Sequence, residues 1–117
     1  MKRCQKHPNI LKIVTEGEDF YKELNMAPRL VPYIVLEHAA HGDLFDVVNY
    51  SGPFSEELTR YFFKQFLEAL KHIHQNGLAH RDIKIENVLL DQNCELKIND
   101  FGYACSIVGP NGNGILD

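Results

Sequence analysis

Between Ser55 and Gly77 the apolar residues Leu58, Phe62, Phe66, Ala69, Leu70 and Ile73 recur at helical spacing. A segment this long and periodic sets the frame on which the rest of the chain must pack. Ser55 stands where an N-cap is needed. Glu56 and Glu57 follow in the first turn, where the helix dipole favours negative charge. Asn76-Gly77 supplies the stop. Tyr61, Phe63 and Leu67 add apolar area on other faces, which predicts a central rather than a superficial helix.

The flanking segments read differently. Ile10–Val14 is a short apolar run after the turn-prone His7-Pro8-Asn9, and a strand is expected there. Residues 16–32 are polar and broken by Pro28 and Pro32, which predicts a long connection. Tyr33-Ile34-Val35-Leu36 suits a buried strand, and a polar linker from Glu37 to Gly42 follows it. Asp43–Tyr50 is expected to form a short helix with Asp43 at its N-terminus, ended by Ser51-Gly52-Pro53. Val88–Leu90 and Leu96–Ile98 are strand candidates around the turn Asp91-Gln92-Asn93-Cys94. From Ser106 onward Gly109, Pro110, Gly112 and Gly114 predict a mobile loop. The sum is an α+β chain.

Charge and cysteine content narrow the classes. Twelve Lys and Arg against 16 Asp and Glu leave a net charge of −4, no footprint for wrapping nucleic acid. Cys4, Cys94 and Cys105 are odd in number and far apart, against a disulfide framework or a zinc knuckle. No apolar run approaches the ~20 residues of a membrane span, and residues 1–5 do not resemble a signal peptide. A soluble, cytoplasmic protein that binds neither membrane nor nucleic acid is expected.

The chemistry concentrates in His80-Arg81-Asp82-Ile83-Lys84-Ile85-Glu86-Asn87, followed 13 residues after Asn87 by Asp100-Phe101-Gly102. One carboxylate, one ammonium and one amide fall within a few residues. A second carboxylate returns on the far side of a short hairpin. Oxygen ligands of this kind suit Mg²⁺, which commonly takes one or two carboxylates together with phosphate oxygens. The ammonium can offset phosphate charge, and the other carboxylate can orient a hydroxyl. These are the parts of in-line phosphoryl transfer. A lone Asp-Phe-Gly is a common turn; the joint spacing is what carries the reading. His80 reads as a packed structural histidine, and Phe101 and Ile13 as core residues.

On these motifs the chain resembles the protein kinases, whose signature pairs an H-R-D-x-K-x-x-N loop with D-F-G. The resemblance extends over nearly the whole chain, with a calmodulin-dependent and AMP-activated kinase flavour. It implies a partial kinase-like fold: 1–37 from the end of the small lobe with two strands, 38–42 the hinge, 43–105 the start of the large lobe with short helix, long helix, catalytic loop and small β-hairpins, and 106–117 a flexible activation segment. It implies that Asp82 is the catalytic or orienting carboxylate and that Lys84 contacts the transferred phosphate. Asn87 and Asp100 would hold Mg²⁺. The ATP-binding set would be Leu36 at the gatekeeper position, backbone groups of Glu37 and Ala39 at the adenine edge, Asp43 at the ribose, Leu89 under the ring, and Glu86, Asn87 and Asp100. Lys84 in this loop favours serine/threonine specificity, and Arg81 suggests an activation loop tuned by phosphorylation.

The kinase pattern also includes a glycine-rich loop, a V-A-I-K strand and an A-P-E motif, and none of these occurs in the 117 residues. The expectation is a serine/threonine kinase domain truncated at both ends and inactive alone. The alternative is a non-catalytic, kinase-like module that associates with a partner kinase. A small-molecule phosphotransferase fits the Lys84 and Phe101-Gly102 pattern less well.

Overall fold

The computed structural model describes residues 4–108. The elements run β1 (Ile13–Tyr21), β2 (Arg29–Leu36), α1 (Leu44–Ser51), α2 (Glu56–Gln75), β3 (Leu78–Ala79), a 3₁₀ turn (Ile85–Asn87), β4 (Val88–Leu90), β5 (Leu96–Ile98) and β6 (Cys105–Ser106). Three two-stranded antiparallel ladders join β1 to β2, β3 to β6 and β4 to β5. Among the described residues no helix is long and apolar enough to cross a membrane.

The long helix forms as its signals predict. Ser55 Oγ accepts the Leu58 N–H at 3.2 Å, and Gly77 takes a φ of +73° just past the Asn76 cap. Its Phe62, Ala69 and Ile73 are buried with Cys4, Ile10, Val88, Leu90, Leu96 and Ile98, and Leu44, Val47, Phe54, Phe66, Leu78 and Phe101 pack against them. Burial of a large apolar side chain is worth about 1.5–3 kcal/mol, so this one cluster holds α2 to the β4–β5 hairpin. Asn9 and Gln65 cross the same core. Asn9 Nδ2 donates to Gln65 Oε1 at 2.8 Å and to the Leu96 carbonyl at 2.9 Å, and the Leu96 N–H donates to Gln65 Oε1 at 2.8 Å.

Four expectations need correction. The strand expected over Ile10–Val14 starts only at Ile13, because Ile10 lies parallel to Ile98, with Leu11 N–H on the Ile98 carbonyl and Ile98 N–H on the Asn9 carbonyl. The long connection over residues 16–32 is mostly strand. β1 and β2 pair from Ile13 opposite Leu36 to Tyr21 opposite Arg29, with Glu18 opposite Pro32. Cross-strand pairing overrides the polar composition, and a two-stranded ladder has outer edges where a proline costs no bond. The strand over Tyr33–Leu36 was expected to be buried, yet all four residues are exposed, since one face-free hairpin covers little of itself. Likewise α2 is covered on one side only: Leu58, Tyr61, Phe63 and Leu67 are exposed.

At the far end Ser106, expected to open a mobile loop, pairs instead with Leu78, next to the pair of Cys105 with Ala79. The expectation for Gly109, Pro110, Gly112 and Gly114 lies outside the described residues.

Candidate active site

Two turns and a ladder bring the motif residues together. β4 and β5 pair with Val88 opposite Ile98 and Leu90 opposite Leu96. The loop that leads into β4 therefore lies beside the chain that leaves β5. Asn99 N–H donates to the Asn87 carbonyl at 2.9 Å and continues that register one step further. His80 is buried and closes the other side. Its Nδ1 accepts the Asp82 N–H at 3.3 Å, and its Nε2 reaches the Asn99 carbonyl at 2.8 Å. A backbone N–H can only donate and a carbonyl can only accept, so this geometry assigns the neutral tautomer with hydrogen on Nε2. Phe101 packs on the same ring with centroids 4.9 Å apart.

Asp82, Lys84 and Asn87 form one bonded group. Lys84 Nζ lies 2.9 Å from Asp82 Oδ2, and Asn87 Nδ2 donates to Asp82 Oδ2 at 2.8 Å and to its carbonyl at 2.9 Å. The hydrogen bond from Lys84 holds the Asp82 carboxyl below the usual carboxylate range; partial burial opposes this, and the Asn87 amide adds to it. In return the Asp82 carboxylate pushes the Lys84 ammonium above its ordinary value. Both groups are therefore charged at neutral pH.

Two residues here hold left-handed backbone, Arg81 with φ +65° and Asp100 with φ +57°. Such conformations are uncommon outside glycine and persist where the surroundings enforce them. Arg81 Nε donates to the Tyr103 carbonyl at 2.7 Å and ties the loop to the segment after Asp100. Asp100 Oδ1 accepts the Gly102 N–H at 3.1 Å. A Cβ at Gly102 would stand 3.0 Å from that oxygen, so a side chain there would push on the carboxylate.

A cleft of about 600 Å³ opens beside this group, lined by Ile13, Glu16, Ile34, Leu36, Asn87, Asn99, Asp100, Phe101 and Gly102. Among the expected site residues, Leu36, Asn87 and Asp100 meet in this cleft, and Asn87 carries the connection to Asp82 and Lys84. Leu89 is half-buried in mid-β4 and bridges Asp43. The Asp43 carboxylate accepts the Asp46 N–H at 2.8 Å and caps α1. Glu37 is not among the cleft-lining residues; its side chain meets Lys97 at 3.3 Å and accepts the Lys12 N–H at 3.0 Å. Ala39 lies in the linker with its carbonyl on the Gly42 N–H. Glu86 is exposed on the 3₁₀ turn and is not among the cleft residues.

Ile34, Glu16, Asn99 and Gly102 line the cleft without having been expected there, and Ile13 and Phe101, expected as core residues, line it too. Ile34 was within reach of sequence reasoning, because residues two apart on a strand share a face with Leu36. Glu16 was not, because its polar segment becomes strand only through its pairing with β2. Asn87 and Asp100 are oxygen donors of the kind Mg²⁺ takes. The Nδ2 of Asn87 is committed to Asp82, which leaves its Oδ1 as the acceptor for a cation.

The residue pattern and the cleft can be set beside known proteins. The family described as "Protein kinase domain" matches residues 1–113. NUAK family SNF1-like kinase 1 of Mus musculus is 41% identical over 98 residues, 84% of this chain and 14% of that protein. CBL-interacting protein kinase 11 of Oryza sativa is 37% identical over 114 residues, 97% of this chain and 21% of the relative. Serine/threonine-protein kinase SRK2F of Arabidopsis thaliana is 42% identical over 108 residues, 91% of this chain and 28% of the relative. The chain thus spans less than a third of the length of these relatives.

Proposed function

This chain belongs to the protein kinase family, and from that premise we propose that its cleft serves ATP-dependent phosphoryl transfer to serine and threonine hydroxyls of proteins. One observation carries the reading: Asn87 donates to the Asp82 carboxylate while also lining the cleft with Asp100. The hydroxyl-orienting carboxylate is thereby bonded to one of the two proposed cation ligands, and the second lines the same cleft. Positioning of this kind supplies most of the catalysis in phosphoryl transfer.

In this proposal Asp82 accepts the hydrogen bond of the substrate hydroxyl. The Asn87 amide on Asp82 Oδ2 fixes the carboxylate in place to orient that hydroxyl. Lys84 exchanges part of its pairing with Asp82 for the transferred phosphate. Asn87 Oδ1 and the Asp100 carboxylate would hold Mg²⁺, which when bound neutralises phosphate charge. Leu36 would stand behind the adenine and Leu89 under its ring. The Glu37 N–H is taken by the Lys12 carbonyl and the Ala39 carbonyl by the Gly42 N–H, which leaves the Glu37 carbonyl and the Ala39 N–H for the adenine edge. Asp43 and Glu86 would serve the ribose side. Residues 1–37 are assigned to the small lobe, 38–42 to the hinge, 43–105 to the large lobe and 106–117 to the activation segment. The setting assigned is cytoplasmic, in keeping with three unpaired cysteines.

The 117 residues alone are proposed to transfer phosphate very slowly or not at all, since the described residues lining the cleft include no lysine or arginine for the remaining phosphates. The test is transfer from γ-labelled ATP to a serine-containing protein mixture, with Asp82→Asn beside it. Robust Mg²⁺-dependent labelling by the chain, lost in Asp82→Asn, would support the chemistry and refute the inactivity. A second reading rests on a different observation. An apolar groove of about 420 Å³ lined by Phe54, Phe63, Phe66, Ile83 and Ile85, among others, lies open, with Phe63, Ile83 and Ile85 exposed. A module that pairs with a partner kinase would use such a face. Recovery of a full-length kinase on the immobilised chain, without transfer activity, would favour it.

A further inference from the structure

Lys97 is a cation in the middle of β5, 7% exposed. Its strand neighbours Leu96 and Ile98 point into the α2 core, so alternation sends Lys97 to the opposite face. There it meets two carboxylates: Nζ lies 3.3 Å from Glu37 Oε1 and 3.8 Å from Asp91 Oδ2. Both carboxylates are held by backbone as well. Glu37 Oε1 accepts the Lys12 N–H at 3.0 Å, and Asp91 Oδ1 accepts the N–H groups of Asn93 at 2.8 Å and Glu95 at 3.0 Å. Burial alone would raise the Asp91 carboxyl, but those N–H groups and the Lys97 ammonium hold it below its ordinary range.

The linker over residues 37–42 is thus fixed at both ends by different means. At the far end, His41 N–H donates to the Leu90 carbonyl at 3.1 Å and Leu90 N–H to the Gly42 carbonyl at 2.9 Å. At the near end the tie between the linker and the β4–β5 hairpin is the side-chain pair of Glu37 and Lys97. A buried ion pair is a weak source of net stability, since an apolar residue of similar size often serves as well. It does fix geometry, because one ammonium between two immobilised carboxylates tolerates little displacement.

We propose that Lys97 is a positioning residue for nucleotide: by tethering Glu37 to β5 it sets the Glu37 carbonyl and the Ala39 N–H for the adenine edge. This rests on the functional reading above. Lys97 touches neither nucleotide nor reacting atoms; it acts through the linker backbone.

The full chain and its Lys97→Met, Lys97→Arg and Glu37→Gln variants are titrated with a fluorescent ATP analogue and, by displacement, with adenosine. Amide exchange at Glu37 and Ala39 is followed without nucleotide. A charge-assisted bond has the size to weaken both ligands about tenfold in Lys97→Met. Exchange at Glu37 should quicken, and Lys97→Arg should recover both properties. Glu37→Gln moves in the same direction and carries the test if Lys97→Met does not fold. Wild-type affinity with unchanged exchange in either variant overturns the positioning role, as does an equal loss in Lys97→Arg. If the wild type binds no nucleotide while Lys97→Met still quickens exchange, the functional reading has failed and Lys97 is a tether only, which also overturns the proposal.

Discussion

At the scale of single residues, Asp82 and Lys84 define the pH behaviour of the site. Lys84 and Asn87 hold the Asp82 carboxyl below its ordinary range, so its bonds stabilise the fold above that range and fade as pH falls through the lower, folded value. Lys84 is raised above 10.5, so its contribution is full below that pH and fades as pH rises through the higher, folded value. Thermal melts of the wild type and Asp82→Asn should therefore differ between these limits and converge below the acid one. A difference that persists into strong acid would contradict the assigned bonds. Gly102→Ala is a second residue-scale prediction. The added Cβ crowds Asp100 Oδ1, so Mg²⁺-dependent nucleotide affinity should fall with little change in melting temperature. Titration at several Mg²⁺ concentrations reads this directly. The motif residues were legible in the sequence because their chemistry is carried by residue type at fixed spacing. Lys97 was not, because only the folded linker shows that a lysine in a short strand is covered by two carboxylates.

At the scale of elements, the core and the hairpin over β1–β2 should behave as different materials. Ile73→Ala empties a fully buried position between α2 and the β4–β5 hairpin and should cost about 2–5 kcal/mol in denaturant unfolding. Ser55→Ala removes one helix cap and should cost about 1 kcal/mol. The β1–β2 ladder packs little apolar surface, so its amides should exchange well before those of β4 and β5 in native-state hydrogen exchange. Equal protection of the two ladders would contradict this division. The helices were legible from caps and periodicity, which are local. The extent of β1 was not, because Thr15-Glu16-Gly17-Glu18-Asp19 becomes strand only through its partner, and partner choice is not local. The same physics hid β6, two residues held by Leu78 and Ala79.

At the scale of the whole molecule, one well-packed core joins α2, β4 and β5, while Leu58, Tyr61, Phe63 and Leu67 leave apolar area uncovered. Exposed apolar surface of this kind marks an interaction face or an association liability. Sedimentation velocity at rising concentration should show the chain shifting to larger species. The sequence predicted a central helix but could not show which faces the rest of these residues leave open. Above this core Asn87 and Asp100 line one cleft and Asp82 is bonded to Asn87, and the proposed nucleotide site depends on that arrangement. Calorimetric titration of ATP into the full chain, with and without Mg²⁺, and into Asp100→Asn, tests it most directly. Binding strengthened by Mg²⁺ is expected in the wild type, and the Mg²⁺ effect should be lost in Asp100→Asn. Absence of binding, or binding indifferent to both Mg²⁺ and Asp100, would contradict it.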